Sequence, residues 1–163
     1  MKLLVFSDSH GDINTIKSVL QAHHATADTA IFAGDGASDF MAMAPLYPDI
    51  AFIAVRGNCD RMPVTPAGSD IPYESTLLVC GHKLFITHGH LHHVKLSTMP
   101  LIRAAESEAA DIVIFGHTHI PCYKYIPDKT PPLYLFNPGS AASGSFGIIE
   151  LRDNGVLMSH GNV

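Results

Sequence analysis

The 163 residues carry 10 Lys and Arg against 15 Asp and Glu, a formal net charge of −5, and are 47% hydrophobic and 15% charged. That length and apolar content suffice for one self-supporting core and exclude disordered or collagen-like chains. The acidic balance excludes a broad basic face for nucleic acid, and no run approaches the roughly 18 apolar residues of a membrane span.

In chain order, Leu3 to Ser7 is a short apolar run that predicts a strand. Asp12 reads as the N-cap of a helix whose apolar face is Ile13, Ile16, Val19 and Leu20. Strands are predicted over Thr29 to Ala33 and Ile50 to Val55, with a helix near Ser38 to Ala44 between them and Pro45 and Pro48 marking the junction. Met62 to Pro72, with three prolines and Gly68, predicts an irregular surface loop. Thr76 to Cys80 and Lys83 to Thr87 flank Gly81 and His82 as a tight hairpin, followed by a helix over Ser97 to Ala109 and a strand over Ile112 to Phe115. The tail reads as strands Tyr123 to Ile126, Leu133 to Phe136, Gly147 to Leu151 and Val156 to Ser159, with Asp153-Asn154-Gly155 as the clearest hairpin turn. Alternating strands and helices with an antiparallel finish predict an α/β fold of two stacked sheets with helices outside.

One domain over residues 1–163 is expected, and a cytoplasmic one, since the run Leu3 to Phe6 is too short for a signal-peptide core. Cys59, Cys80 and Cys122 are odd in number and lack CxxC spacing, which suggests neither a disulfide framework nor a cysteine zinc site. Histidine is abundant, at 11 residues.

The residues just after the proposed strands are Asp8 and His10, then Asp35, Asn58 and His88, then His117 and His119. In α/β sheets the carboxyl ends of strands converge on one crevice, so five loops would deliver these seven side chains to one place. Asp, Asn and Gly are also ordinary turn residues, but histidine has no comparable turn preference. Carboxylate, amide and imidazole without thiolate suit Mn, Fe, Ni, Zn or Mg. Seven ligands exceed what one ion needs, and two ions sharing a carboxylate, about 3.5–4 Å apart, are an arrangement used to hydrolyse phosphate esters.

Asp8-Ser9-His10, Gly34-Asp35, Gly57-Asn58-Cys59-Asp60, His88-Gly89-His90 and Gly116-His117-Thr118-His119 occur in the order found in the calcineurin-like metallophosphoesterases, which the chain resembles over residues 3 to 119. It is most similar to the small single-domain phosphodiesterase branch, which also carries a segment like Asn137-Pro138-Gly139-Ser140. The resemblance implies a four-layer α-β-β-α sandwich. It further implies that Asp8, His10 and His119 hold one metal, that Asn58, His88 and His117 hold the other, and that Asp35 bridges them. The implied cofactor is a pair of divalent ions, Mn ahead of Ni, Zn, Fe or Mg. The implied activity is hydrolysis of a small or activated phosphodiester by in-line attack of a hydroxide shared between the ions.

Many members have His after the Gly-Asn pair, where it protonates the leaving group; here Cys59 stands in its place. Losing a positioned acid costs about 10²- to 10⁴-fold, most for basic leaving groups, so aryl or activated diesters are expected to be preferred. His90 is the first candidate to contact the phosphoryl group alongside Asp35 and Asn58, and His92, His93 and Lys95 are candidates to line the cleft. Arg56 is a candidate partner for Asp60 or a phosphate. Cys59 is expected to pack rather than ligate. His23 and His24 are read as cationic complements to the dipole at the end of the first helix, His82 as a turn residue and His160 as a surface residue. The alternatives are a non-catalytic interaction scaffold of the same fold, like the retromer subunit, and a phosphomonoesterase. Homo-oligomerisation stays open.

Overall fold

The computed structural model describes residues 1–152 and 155–163. Among the described residues, ten strands form two five-stranded sheets. The first holds β1 (Lys2–Phe6), β2 (Thr29–Ala33), β3 (Ala51–Val55), β9 (Ser145–Arg152) and β10 (Gly155–Asn162) in the order β10-β9-β1-β2-β3. The second holds β4 (Glu74–Val79), β5 (His82–Thr87), β6 (Ile112–Ile114), β7 (Cys122–Ile126) and β8 (Leu133–Asn137) in the order β4-β5-β6-β8-β7. Both are mixed: β1, β2 and β3 run parallel, as do β5, β6 and β8, and the flanking strands are antiparallel.

The layering follows from which face each apolar residue takes. In β1, Leu4 and Phe6 face helices α1 (Asn14–His23) and α2 (Ala37–Met41), packing on Ile16, Leu20 and Phe40. Leu3 and Val5 point the other way, into a layer shared with Leu84, Ile86, Ile112 and Ile114 of the second sheet. Phe85, Val113 and Leu135 then cover the inner face of α3 (Met99–Ser107) through Leu101, Ile102 and Ala105. This α/β sandwich buries the central strands on both faces, which is why they read as continuous apolar runs. No helix among the described residues is long and apolar enough to cross a membrane.

The tail departs from a simple antiparallel finish. β8 inserts parallel to β6 while β7 takes the edge, and β9 and β10 return to the first sheet. The β4–β5 turn is Cys80-Gly81, with φ of 49° and 78°, the two left-handed residues of a type I′ turn, so His82 belongs to the strand. The expected turn residues Asp153 and Asn154 lie outside the described residues. Asp12 accepts a hydrogen bond from the Asn14 N–H at 3.0 Å, but the N-cap itself is Ile13. The second helix stops at Met41, short of the expected Ala44, and a 3-10 turn containing Pro45 follows.

Candidate metal centre

All seven residues singled out by chain order lie in loops at the carboxyl ends of β1, β2, β3, β5 and β6, on the end of the sandwich where the parallel strands of both sheets finish. Five of them occupy left-handed backbone: Asp8 (φ 54°), His10 (47°), Asp35 (63°), His117 (67°) and His119 (61°). For residues other than glycine each costs roughly 1–2 kcal/mol, so the surrounding structure must hold them there. Asp8 N–H donates to Gly34 O at 2.9 Å and His10 N–H to Asp35 O at 3.0 Å, which knits the first two loops together.

Three tight groups of ligand atoms overlap: Asp8 with His10 and His119, Asp8 with Asp35 and His88, and His10 with Asp35 and Cys59. His119 Nε2 lies 3.1 Å from Asp8 Oδ1, His88 Nε2 lies 3.3 Å from Asp35 Oδ2 and 3.9 Å from Asp8 Oδ1, and the Nε2 atoms of His10 and His119 are 3.3 Å apart. Yet Asp8 Oδ1 and His88 Nε2 are buried with no hydrogen-bond partner among the described residues. A buried polar atom without a partner costs about 1–3 kcal/mol, so atoms that crowd together without bonding one another call for a further occupant. The donor set and its orphaned atoms fit a divalent cation. His117 sits at the rim, its ring 5.0 Å from that of His88, and Asn58 lies on the exposed side with its Nδ2 donating to Cys59 Sγ at 3.2 Å.

The electrostatics agree. Burial would raise the Asp35 carboxyl, but His88 and the hydrogen bonds from Cys59 outweigh it and hold it well below the usual carboxylate range. Burial would lower His88, but Asp35 and Asp8 outweigh that and raise it, so the field of the pocket favours positive charge. Burial, with His88 and Lys95, pushes His117 down to about 4, leaving its lone pair free at neutral pH. A hydrogen bond to Asp35 pushes the Cys59 thiol up and keeps it protonated.

His88 is aimed from behind by its Nδ1–H, which donates to Ala33 O at 2.7 Å and leaves Nε2 for the pocket. Asp8 Oδ2 accepts the His117 N–H at 3.0 Å, and Asp35 Oδ1 accepts the Cys59 N–H at 2.8 Å, leaving one oxygen of each carboxylate unspent. A Cβ at Gly57 would stand 2.1 Å from Asp35 Oδ1, so only glycine allows this carboxylate its place.

Two supports escaped the sequence. Asp60 accepts four backbone N–H groups, from Asp35 (2.8 Å), Gly36 (2.8 Å), Ala37 (3.1 Å) and Gly57 (2.8 Å), and so clamps the β2 and β3 loops instead of pairing with Arg56. The motif Gly57-Asn58-Cys59-Asp60 contains it, but nothing in the sequence shows that its partners are backbone groups. Asn137 donates to Gly116 O and Thr118 Oγ1, while Ser140 donates to Asp8 O at 2.8 Å, so the Asn137–Ser140 turn straps the β1 and β6 loops.

Of the remaining candidates, His90 belongs to the cluster, its ring 5.4 Å from His88 and 6.1 Å from His117. His92 is tied to Glu74 at 2.6 Å. Arg56 places its guanidinium carbon over the Tyr73 ring, 3.9 Å from the ring centre. His23 is no helix-end cation: burial and Lys2, whose Nζ lies 3.1 Å from His23 Nδ1, lower it. His160 stacks on Phe136 and its Nε2 donates to Asn137 O at 2.7 Å, so this surface residue also braces the strap.

A family model described as the calcineurin-like phosphoesterase superfamily domain matches residues 1–161. The probable metallophosphoesterase YsnB of Bacillus subtilis is 33% identical over 140 residues, 86% of this chain and 75% of that protein. Phosphodiesterase MJ0936 of Methanocaldococcus jannaschii is 29% identical over 157 residues, 91% of this chain and 89% of its own. A solved structure from Streptococcus pneumoniae TIGR4, described as a predicted phosphoesterase, superposes with a TM-score of 0.76 at 26% identity, covering 99% of this chain and 88% of that one. Vacuolar Protein Sorting 29 from Cryptosporidium parvum superposes with a TM-score of 0.73 over 99% of this chain and 98% of its own, a likeness of fold alone at 18% identity.

Proposed function

Since the chain belongs to the calcineurin-like phosphoesterase superfamily, a family of divalent-metal phosphoester hydrolases, we propose that it is a dinuclear phosphodiesterase acting on a small or activated phosphodiester. Asp8, His10 and His119 would hold one ion and Asn58, His88 and His117 the other, with Asp35 common to both. Mn is the first candidate, ahead of Ni, Zn, Fe or Mg. The observation that carries this reading is the pair of buried, unpartnered atoms Asp8 Oδ1 and His88 Nε2 beside the Asp35 carboxylate.

Divalent ions held there supply Lewis acidity toward phosphoryl oxygens and a water of lowered pKa. The remaining tasks fall to the protein. Cys59 Sγ accepts a hydrogen bond from the Asn58 amide nitrogen, which leaves the carbonyl oxygen of Asn58 free to ligate. His90, beside both His88 and His117, donates a ring N–H to the phosphoryl group. No histidine occupies position 59, so diesters with good leaving groups are favoured. The likeness to Vacuolar Protein Sorting 29 supports a scaffold reading only at the level of fold.

The test is turnover of bis(p-nitrophenyl) phosphate and p-nitrophenyl phosphate by metal-stripped protein resupplied with Mn, Ni, Zn or Mg. Metal-dependent diester hydrolysis that exceeds monoester hydrolysis and is abolished by Asp35→Ala and His117→Ala is expected. A folded, metal-loaded protein that turns over neither ester would contradict the proposal.

A further inference from the structure

Two cavities flank the ligand cluster. One, of about 300 Å³, is built by first-sheet loops and lined by His10, Asp35, Cys59 and Asp60. The other, of about 430 Å³, is built by second-sheet loops and is of a different character: Val94, Phe115, Ile120 and Cys122 give it a mainly apolar lining, with Lys95 at its edge. Its size falls in the range of small-molecule pockets, which pair apolar walls with a few polar groups.

This second cavity adjoins two of the loops that carry the candidate ligands. Thr118, between His117 and His119, forms part of its wall. Val94 packs against Gly89, next to His88, so closely that a Cβ there would meet Val94 Cγ2 at 2.9 Å. Lys95, exposed in the loop that follows His88, adds a cation to the lining. Burial pushes the Cys122 thiol up, so that wall carries no charge. Ile120, 67% exposed, leaves an apolar lip in water directly after His119.

We propose that this cavity is the subsite for the retained ester arm of the substrate and that the arm is an aryl or heteroaryl ring. The proposal rests on the phosphodiesterase reading and deepens it. A ring seated on Val94, Phe115 and Ile120 places its phosphoryl oxygen toward His117 and Lys95, while the departing arm takes the cleft beside Cys59. Charge matches at the edge, where Lys95 meets an anionic diester, and hydrophobicity matches inside.

The test holds the leaving group constant. Metal-loaded protein is assayed with phenyl p-nitrophenyl phosphate and methyl p-nitrophenyl phosphate, and kcat/KM for the phenyl ester is expected to be higher by about tenfold or more, the scale of discrimination an apolar pocket provides. Ile120→Ser at the exposed lip and Thr98→Trp at the mouth should each bring the ratio toward unity. In parallel, methyl resonances of Val94 and Ile120 in metal-free protein should shift on adding diphenyl phosphate but not dimethyl phosphate. A wild-type ratio near one, or a high ratio that survives both variants, overturns the subsite. Ring-dependent shifts without turnover of either ester would uphold the subsite and sink the phosphodiesterase reading instead. Shifts of the same methyls with protein concentration alone would assign the face to a second copy of the chain and overturn the proposal.

Discussion

Two histidine–carboxylate pairs sit at opposite ends of the second sheet and are built to opposite effect. At the amino ends of β5 and β6, His82 Nδ1 lies 2.6 Å from Asp111 Oδ2, and Asp111 Oδ1 accepts the Lys83 N–H at 2.8 Å. Both oxygens of that carboxylate are spent. At the carboxyl ends, His88 gives its Nδ1–H to a backbone carbonyl, and Asp8 and Asp35 each spend one oxygen on a loop N–H, which leaves Nε2 and one oxygen of each carboxylate facing one another. The same residue types thus make a pin in one place and an open coordination sphere in the other. The difference lies in which atoms the backbone has already satisfied.

Breaking the open end should give the largest effect. Asp8→Asn is expected to lower phosphoester turnover by about 10³-fold or more, the scale of losing one preorganised charge. Its melting temperature without metal should stay close to that of the wild type, because an amide oxygen can still accept the His117 N–H; a large loss of stability would mean that Asp8 is structural. Asp60→Ala removes the acceptor for four N–H groups and should cost about 3–5 kcal/mol in denaturant unfolding, with Asp60→Asn costing less because one acceptor oxygen survives. Gly57→Ala must displace Asp35 and should weaken metal binding by about 10- to 100-fold while the fold persists, measurable by calorimetry.

The closed end sharpens the contrast from the other side. His82→Ala should cost only about 1 kcal/mol, since the pair is partly exposed, and should leave kcat/KM within error. The smallest effect concerns His23. Its folded-state pKa is lowered by burial and Lys2, so its contribution to stability is present above about pH 6.5 and is lost as pH falls through the lowered value. Melting curves of the wild type should therefore drop more between pH 6.5 and 5 than those of His23→Gln, and parallel curves would refute this.

Much of this contrast was legible before any coordinates. The apolar runs placed β1, β2, β3, β5 and β6 to within about two residues, because strands buried on both faces admit few polar residues, and chain order then gathered seven side chains at one end. Sheet membership was not legible: β7 to β10 carry similar patterns, and nothing local says that β8 pairs with β6 or that β9 crosses to β1. Asp60 and Asn137 were missed as supports because their partners are backbone groups of distant loops, which leave no side-chain pattern. His82 looked like a turn residue because the I′ turn falls one position earlier, on Cys80 and Gly81, and left-handed backbone at a cysteine has no sequence signature.

The most direct measurement is the stoichiometry of Mn or Zn binding to metal-stripped protein, by isothermal titration with elemental analysis of the product, for wild type, Asp35→Ala and His82→Ala. Two ions per chain are expected for the wild type and for His82→Ala, with both sites weakened in Asp35→Ala because its carboxylate serves both. A wild type that binds no ion tightly, or an Asp35→Ala variant that binds as well as the wild type, would contradict the assignment of the unspent atoms to metal.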